Sequence, residues 1–534
     1  MFIRRDDVLG RSVFPRVVGV LAAVVGFGVW VAGARAAETP VASGALGFAI
    51  YHPPAKSAGA HTADEPSIGS DWRTGAAMYQ SLLTTYRVRF ASSGTPPPAT
   101  WTDVSAPLTS QQTLDPILFT DATTGRTIVS QLAGECSLSE FSDNDGSSWT
   151  PSEGCGPPSG VDHQSIGGGP FAPPLAGASP VYAHAVYYCS QAEATAFCAL
   201  STDGGLTYNP GVPIYTLAQC GGLHGHIRVA PDGTAVMPNQ NCGSSPSTGG
   251  ATGNFARQAA IVSPDNGTTW TVRTIPDSVS TLRSDPSVAA DATNKLYFGY
   301  EYGVHKGGDV NAEQVGGRAM IATSLDHGAT WSRSVDVGGP QGIRNVTFPE
   351  VIAGSAGRAA YAFLGSSTAG DPENTSFKGL WYLYVAVTDN GGSSWALKNL
   401  TPGDPVERGC IYLAGTGNCP NPAKRNLYDF MDITVDNHGR ILIGYSDGCT
   451  GTCVTDQSKP CSDAACSTGP TASTDHYASI ARETCGIGLL AQYAASLACA
   501  PGAADSTVDR SPADVSTQSD RASPISRTPI RRRH

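Results

Sequence analysis

Short runs rich in Val, Ile, Leu, Tyr and Phe recur along this chain, as in Lys295-Leu-Tyr-Phe-Gly-Tyr300 and Arg440-Ile-Leu-Ile-Gly-Tyr445. Clusters of Gly, Asp, Asn, Ser and Pro separate them, which predicts β-strands bounded by tight turns. The turns repeat. One octapeptide returns five times, as Ser142-Asp-Asn-Asp-Gly-Ser-Ser-Trp149, Ser201-Thr-Asp-Gly-Gly-Leu-Thr-Tyr208, Ser263-Pro-Asp-Asn-Gly-Thr-Thr-Trp270, Ser324-Leu-Asp-His-Gly-Ala-Thr-Trp331 and Thr388-Asp-Asn-Gly-Gly-Ser-Ser-Trp395. Successive copies start 59, 62, 61 and 64 residues apart. The Asp or Asn at the third position can accept backbone N–H bonds across a bend, and the hydroxyls can close further local bonds. Gly at the fifth position supplies positive φ at no steric cost. The closing Trp or Tyr opens the next strand and can fill the gap between neighbouring units.

A second repeat precedes the octapeptides. Segments open on an acid or His, run through apolar residues and reach a turn: Glu65 to Asp71, Asp115 to Asp121, His226 to Asp232, Asp285 to Asp291, Glu350 to Gly354 and Asp432 to Asp436. His226, Asp285 and Glu350 stand 37, 39 and 38 residues before their octapeptides. Each unit is then a short inner strand, two longer strands, the octapeptide turn and a last strand. Unit three has no obvious acidic start, and unit seven, from about Asp429, has no octapeptide. The count is seven units, with six as the alternative. Four-stranded antiparallel units of this length, arranged radially, make an all-β β-propeller. Leu46 to Tyr51 is placed to lend a strand to the last blade and close the ring.

Composition agrees with this class. Gly and Pro supply 62 and 38 of the 534 residues, and charged residues only 15%, which excludes helical bundles and coiled coils. The hydrophobic content of 40% excludes a largely disordered chain. The net charge is −11 with both ends basic, so the body is near −16 and repels phosphate backbones; nucleic acid is not an expected partner.

Residues 1–36 read as an export signal: Arg4, Arg5, Arg11 and Arg16, an uncharged stretch from Val17 to Ala34, then Ala34-Arg35-Ala36 as a cleavage site. An uncleaved membrane anchor is the alternative there; no later stretch is long and apolar enough to span a bilayer. The 14 cysteines all lie beyond this segment. Cys136 and Cys155, Cys189 and Cys198, Cys220 and Cys242, Cys410 and Cys419, and Cys485 and Cys499 could each staple one loop, while Cys449, Cys453, Cys461 and Cys466 form a cluster of open connectivity. The expected organisation is a signal at 1–36, a propeller over 45–495 and a disordered tail over 500–534, in a secreted protein of unassigned oligomeric state.

The octapeptides resemble the Asp-box, or bacterial neuraminidase repeat, and the resemblance to the sialidase-like propeller superfamily covers roughly residues 45–495. Two copies (263–270 and 324–331) fit fully, and three carry one or two substitutions. That superfamily includes exo-sialidases, other glycoside hydrolases, sorting-receptor ectodomains and photosystem assembly factors, so it implies architecture more than activity. The resemblance places the boxes on the blade rim, away from an active site. It also implies three Arg on a substrate carboxylate, a Tyr–Glu nucleophile pair and an Asp acid/base. The chain departs from that pattern near the first blade, where no Arg-Ile-Pro triplet occurs; Arg87 and Arg89 stand in another setting.

In a propeller the inner-strand starts surround one mouth of the central channel. Glu65, Asp115, His226, Asp285, Glu350 and Asp432 are therefore expected to converge there. Crowded carboxylates raise one another's pKa, which suits a general acid. They could equally hold a cation, or cap inner-strand backbones. Arg283, Arg344 and Arg425 precede the inner strands of blades five, six and seven and could bind an anionic sugar. His224 and His226 share a strand face, without an identifiable third metal ligand. Arg425-Asn-Leu-Tyr428-Asp429-Phe-Met-Asp432 gathers cation, phenol and two acids. Candidate catalytic residues are Glu350, Tyr428, Asp432 and Asp285; candidate substrate-binding residues are Arg283, Arg344, Arg425 and His226. No cofactor or catalytic metal is assigned; a structural Ca²⁺ is the alternative. The nearest approach to a structural calcium loop, Asp143-Asn144-Asp145-Gly146, lacks a bidentate Glu at the required spacing. The expected function is a sialidase-like glycoside hydrolase acting on a glycan or glycoconjugate; the alternative is a non-catalytic propeller binding glycans or proteins on its top face.

Overall fold

In the computed structural model every octapeptide forms the same hairpin turn. The first-position hydroxyl accepts the fifth-position amide at 2.8–3.0 Å in all five copies. The third-position oxygen accepts the seventh-position amide, also at 2.8–3.0 Å. The fourth position, which sequence left unexplained, is left-handed as well as the fifth, as at Asn266 (φ 58°) and Gly267 (φ 77°). Asp, Gly, Asn, His and Gly fill it, mostly the types that tolerate this conformation. Ser263 is fully buried and also donates to Asp265 Oδ1. Ser263→Ala is expected to cost about 1–3 kcal/mol by leaving a buried amide unpaired, read as a lower urea midpoint at unchanged slope.

The described residues are 46–177, 181–192, 195–222, 224–243, 257–281, 283–308, 313–374, 376–411, 427–455 and 475–500. The proposed export signal and tail, Arg425, and Cys419, Cys461 and Cys466 lie outside them. Among the described residues no helix is long and apolar enough to cross a membrane.

The fold is a seven-bladed β-propeller of antiparallel four-stranded sheets, so the seven-unit count holds over six. The inner strands are Ser67–Asp71, Pro116–Thr120, Asp162–Gly169, Arg228–Val229, Ser287–Ala290, Asn345–Ala353 and Asp432–Val435. Blade six carries one extra short strand, Glu407–Arg408, on Leu380–Thr388. Blade three does have an acidic start, Asp162, which the sequence reading missed.

Blade seven is closed by the chain's first described strand. Gly47–Tyr51 pairs with Tyr477–Cys485 as its outermost strand, with Phe48 opposite Glu483 and Ile50 opposite Ala481. Phe48 and Ile50 are buried in a core that runs between blades six and seven with Trp381, Leu383 and Ile443. The octapeptide aromatics also bridge blades. Trp149 Nε1 donates to Val104 O at 2.7 Å, just beyond blade one; Trp270 packs edge-on to Tyr187 of blade three, and Trp395 edge-on to Tyr297 of blade five.

Five disulfides lie among the described residues: Cys136–Cys155, Cys189–Cys198, Cys220–Cys242, Cys449–Cys453 and Cys485–Cys499. Four join the local couples read from sequence, and Cys449–Cys453 settles part of the open cluster. Disulfides in this number fit an oxidising, extracellular compartment.

Candidate functional site

Inner strands meet at the propeller axis, where their ends have no sheet neighbour to satisfy them. Side chains near four of the starts make up part of the difference by capping the next blade. Asp115 Oδ2 of blade two accepts His163 N of blade three at 2.8 Å. Ser165 Oγ of blade three accepts Ile227 N at 2.9 Å, and Ser287 Oγ of blade five accepts Val351 N at 2.9 Å. Asp432 Oδ2 of blade seven accepts Ile68 N of blade one at 3.0 Å, which closes the circle. Backbone capping therefore accounts for Asp115 and for part of Asp432.

It does not account for Glu350. Its Oε2 accepts from Ser287 Oγ at 2.9 Å, and the remaining neighbours are His226 Nδ1 and Arg228 Nη2, each at 3.9 Å. Arg228 Nη2 also bonds Asp432 Oδ1 at 3.1 Å, so one guanidinium spans two carboxyls from blades six and seven. One donor atom each of His226, Glu350 and Asp432 lie within 4.8 Å of one another. Local backbone geometry aims these groups inward. The pairing of Asn345–Ala353 with its neighbour skips Phe348 and Pro349, with Phe348 at φ 53°, just before Glu350. His163 occupies a similar irregularity in Asp162–Gly169, at φ 48°. Bulges of this kind re-aim a side chain out of the sheet.

Burial, then the Asp432 charge, hold the Glu350 carboxyl well above the usual carboxylate range. Burial raises Asp432 too, but Arg228 and the amides of Ile68 and Ile433 oppose that rise. Asp432 is still raised on balance, but Glu350 is pushed further toward the neutral acid, and Arg228 favours the ionised form of Asp432. Next to it, His163 Nε2 meets Asp285 Oδ2 at 2.8 Å. Burial alone would lower the His163 pKa; Asp285, with Asp115 and Asp162, more than offsets this and raises it to about 9. His224 is lowered to about 4 by burial and by His163, and His226 falls well below its ordinary value by burial and by Arg228. The mouth therefore holds two cations, His163 and Arg228, and two neutral imidazoles.

Four of the eight sequence candidates, Asp285, Glu350, Asp432 and His226, come together at this mouth. Tyr428 is left-handed (φ 55°), and its ring lies edge-on to His476 at 5.3 Å. Asp429 instead joins Glu65 and Asp115, with one oxygen of each within 4.8 Å of the others. Arg283 is drawn to blade six, where it pairs with Asp371 at 2.7 Å and Glu373 at 3.2 Å. Arg344 is exposed, and its hydrogen bonds run through its backbone, to Ser366 O and from Gly317 N. The described arginines among the three thus do not form one clamp. Two residues of the mouth were missed in sequence. Arg228 stands two positions after His226, at the start of the two-residue inner strand of blade four, and the Asp162-His163 start of blade three was the available signal for His163.

Beside Arg283, the fully buried Glu301 is pushed up from the ordinary 4.5 to about 7, chiefly by burial; Arg283 and Thr281 oppose the rise and Glu373 adds to it. The native state therefore binds this proton more tightly than the unfolded chain. Its contribution to stability is complete below about pH 4.5 and is lost as pH rises through 7. Glu301→Gln is expected to remove roughly 3 kcal/mol of pH dependence across that window, seen as flatter denaturant midpoints between pH 5 and 8.

No protein-family model matches the chain, and no curated protein is significantly similar to it. Among solved structures, a protein of unknown function from Dyadobacter fermentans is 12% identical, covering 81% of this chain and 99% of that one at a TM-score of 0.39. A PL25 ulvan lyase, from a new family of polysaccharide lyase, is 11% identical over 73% and 93% at 0.42. A Hadza microbial sialidase is 16% identical over 72% and 63% at 0.32. At these identities and scores the likenesses assign no activity to this chain.

Proposed function

We propose that this protein is a secreted, carbohydrate-active propeller that hydrolyses glycosides at the axial mouth. Glu350 serves as the proton donor, and the Asp432 carboxylate, held by Arg228, stabilises positive charge developing on the sugar. The observation that carries this reading is the convergence of Glu350, Asp432 and Arg228 from three blades, with Glu350, unlike Asp432, accepting no backbone amide. The chemistry is that of a glycosidic acid pair, in which a neutral carboxyl protonates the leaving oxygen and an anionic one faces the sugar ring. The octapeptide resemblance to Asp-box propellers supports the same direction. A substrate with an anionic group has Arg228 and His163 available to it.

A panel of fluorogenic sialosides, uronides and neutral glycosides tests the proposal, with the purified protein assayed from pH 4 to 8. Turnover of at least one glycoside, lost on Glu350→Gln, supports it. Glycan binding with no turnover on any member contradicts hydrolysis and leaves a binding propeller. Tyr428→Phe separates the Glu–Asp pair from a Tyr–Glu nucleophile: the proposed pair predicts that turnover survives this change.

A further inference from the structure

We propose that His226, Glu350 and Asp432 also form a binding site for a divalent transition-metal ion of the zinc class. One donor of each lies within 4.8 Å of the other two, and the three side chains are 4%, 7% and 6% exposed. The independent observation is at His226. Its Nδ1 is buried with no hydrogen-bond partner, and it stands 3.9 Å from Glu350 Oε1. A buried ring nitrogen without a partner calls for an explanation in a native fold, and an ion between it and the two carboxyls supplies one.

The donor set fixes the chemical class. One imidazole and two carboxylates suit Zn²⁺ or Mn²⁺ and leave a coordination position open, whereas Ca²⁺ takes oxygen ligands. Metal-bound donors at about 2.1 Å sit roughly 3.0–3.5 Å apart, so the three need to close by about an ångström. Supporting bonds are already present: Ser287 Oγ holds Glu350 Oε2, and the amides of Ile68 and Ile433 hold Asp432. Such outer contacts orient metal ligands. Arg228 is the competitor. Its guanidinium neutralises the same two carboxyls, so the ion must displace it, and Arg228 is the most exposed of the four side chains at 22%.

The ion holds Glu350 ionised, so occupancy and proton donation exclude each other; on the glycoside reading zinc is an inhibitor. Binding itself does not depend on that reading, and it is measured directly. The disulfide-intact protein is titrated with ZnCl₂ against a chromogenic chelator, and its Co²⁺ form is examined by visible absorption. The expected result is one ion per chain, weakened at least 10-fold by Glu350→Gln and tightened several-fold by Arg228→Gln. The Co²⁺ spectrum of the unmutated protein should show a nitrogen-containing site of low coordination number, which keeps the test independent of variant folding. No binding up to millimolar Zn²⁺, or binding indifferent to both substitutions in folded variants, would overturn the site. Failure of metal binding leaves the glycoside reading standing, and failure of turnover leaves the metal site standing.

Discussion

Glu350→Gln is expected to lower glycoside turnover by about 10²–10⁴-fold while the protein still folds. Gln keeps the size of the side chain and can keep the bond with Ser287 Oγ. It removes the proton that the proposed donor carries. Burial and Asp432 keep that proton on Glu350 well above the usual carboxylate range, so on the proposed reading the unmutated protein should retain activity toward neutral pH. As pH rises through the raised value, the donor is lost and turnover should fall. Circular dichroism and the denaturation midpoint of the variant establish that the loss is chemical. Because Glu350 is buried beside Asp432, the neutral amide should fold at least as well as the acid near pH 8, where the wild type must bury a second negative charge.

The second large effect is structural. Removing the closing strand, residues 46–51, is expected to abolish folding of blade seven and, through it, the ring. The strand supplies the outer edge of that blade and buries Leu46, Phe48 and Ile50 against residues of blades six and seven. Without it, Tyr477–Cys485 becomes an open edge next to an uncovered apolar face, a template for aggregation. A milder version is quantitative: Phe48→Ala should cost about 3–5 kcal/mol, measured by chemical denaturation. The axial site depends on the same closure, because Asp432 of blade seven caps Ile68 of blade one. A truncated chain that unfolded with the wild-type midpoint would show that ring closure contributes little.

The architecture was legible because its signals are local. An octapeptide whose first, third, fifth and seventh positions each satisfy or permit one feature of a single turn can be read without knowing the fold, and its spacing then counts the blades. The turn's left-handed fourth position escaped notice because Asp145, Gly204, Asn266, His327 and Gly391 share a backbone tendency, not a residue type. The disulfide couples were readable for the same reason, with partners close in sequence.

The site was half legible. Acids that open inner strands could be found by their pattern, and Asp285, Glu350 and Asp432 do meet at the mouth. His163 was missed because it sits in a register irregularity, where the acid-then-apolar template breaks. Arg228 was missed because the inner strand of blade four has only two residues, too short to show alternation. Arg283 illustrates the opposite error. Nearness to a strand start does not fix which neighbour attracts a guanidinium, and Asp371 and Glu373 of the next blade do so. What each acid does also depends on its partners: Asp432 caps a backbone amide and Glu350 does not, a distinction carried by contacts between blades.

The most direct test of the axial acid is its dependence on the leaving group. Turnover of wild type and Glu350→Gln is compared on two glycosides of the same sugar, one with a highly activated aryl leaving group and one with a poor alkyl leaving group. A proton donor at position 350 predicts a loss of about 10²-fold or more on the alkyl glycoside and little loss on the activated one. Equal losses on both, or full activity of the variant on the alkyl glycoside, would contradict the assignment.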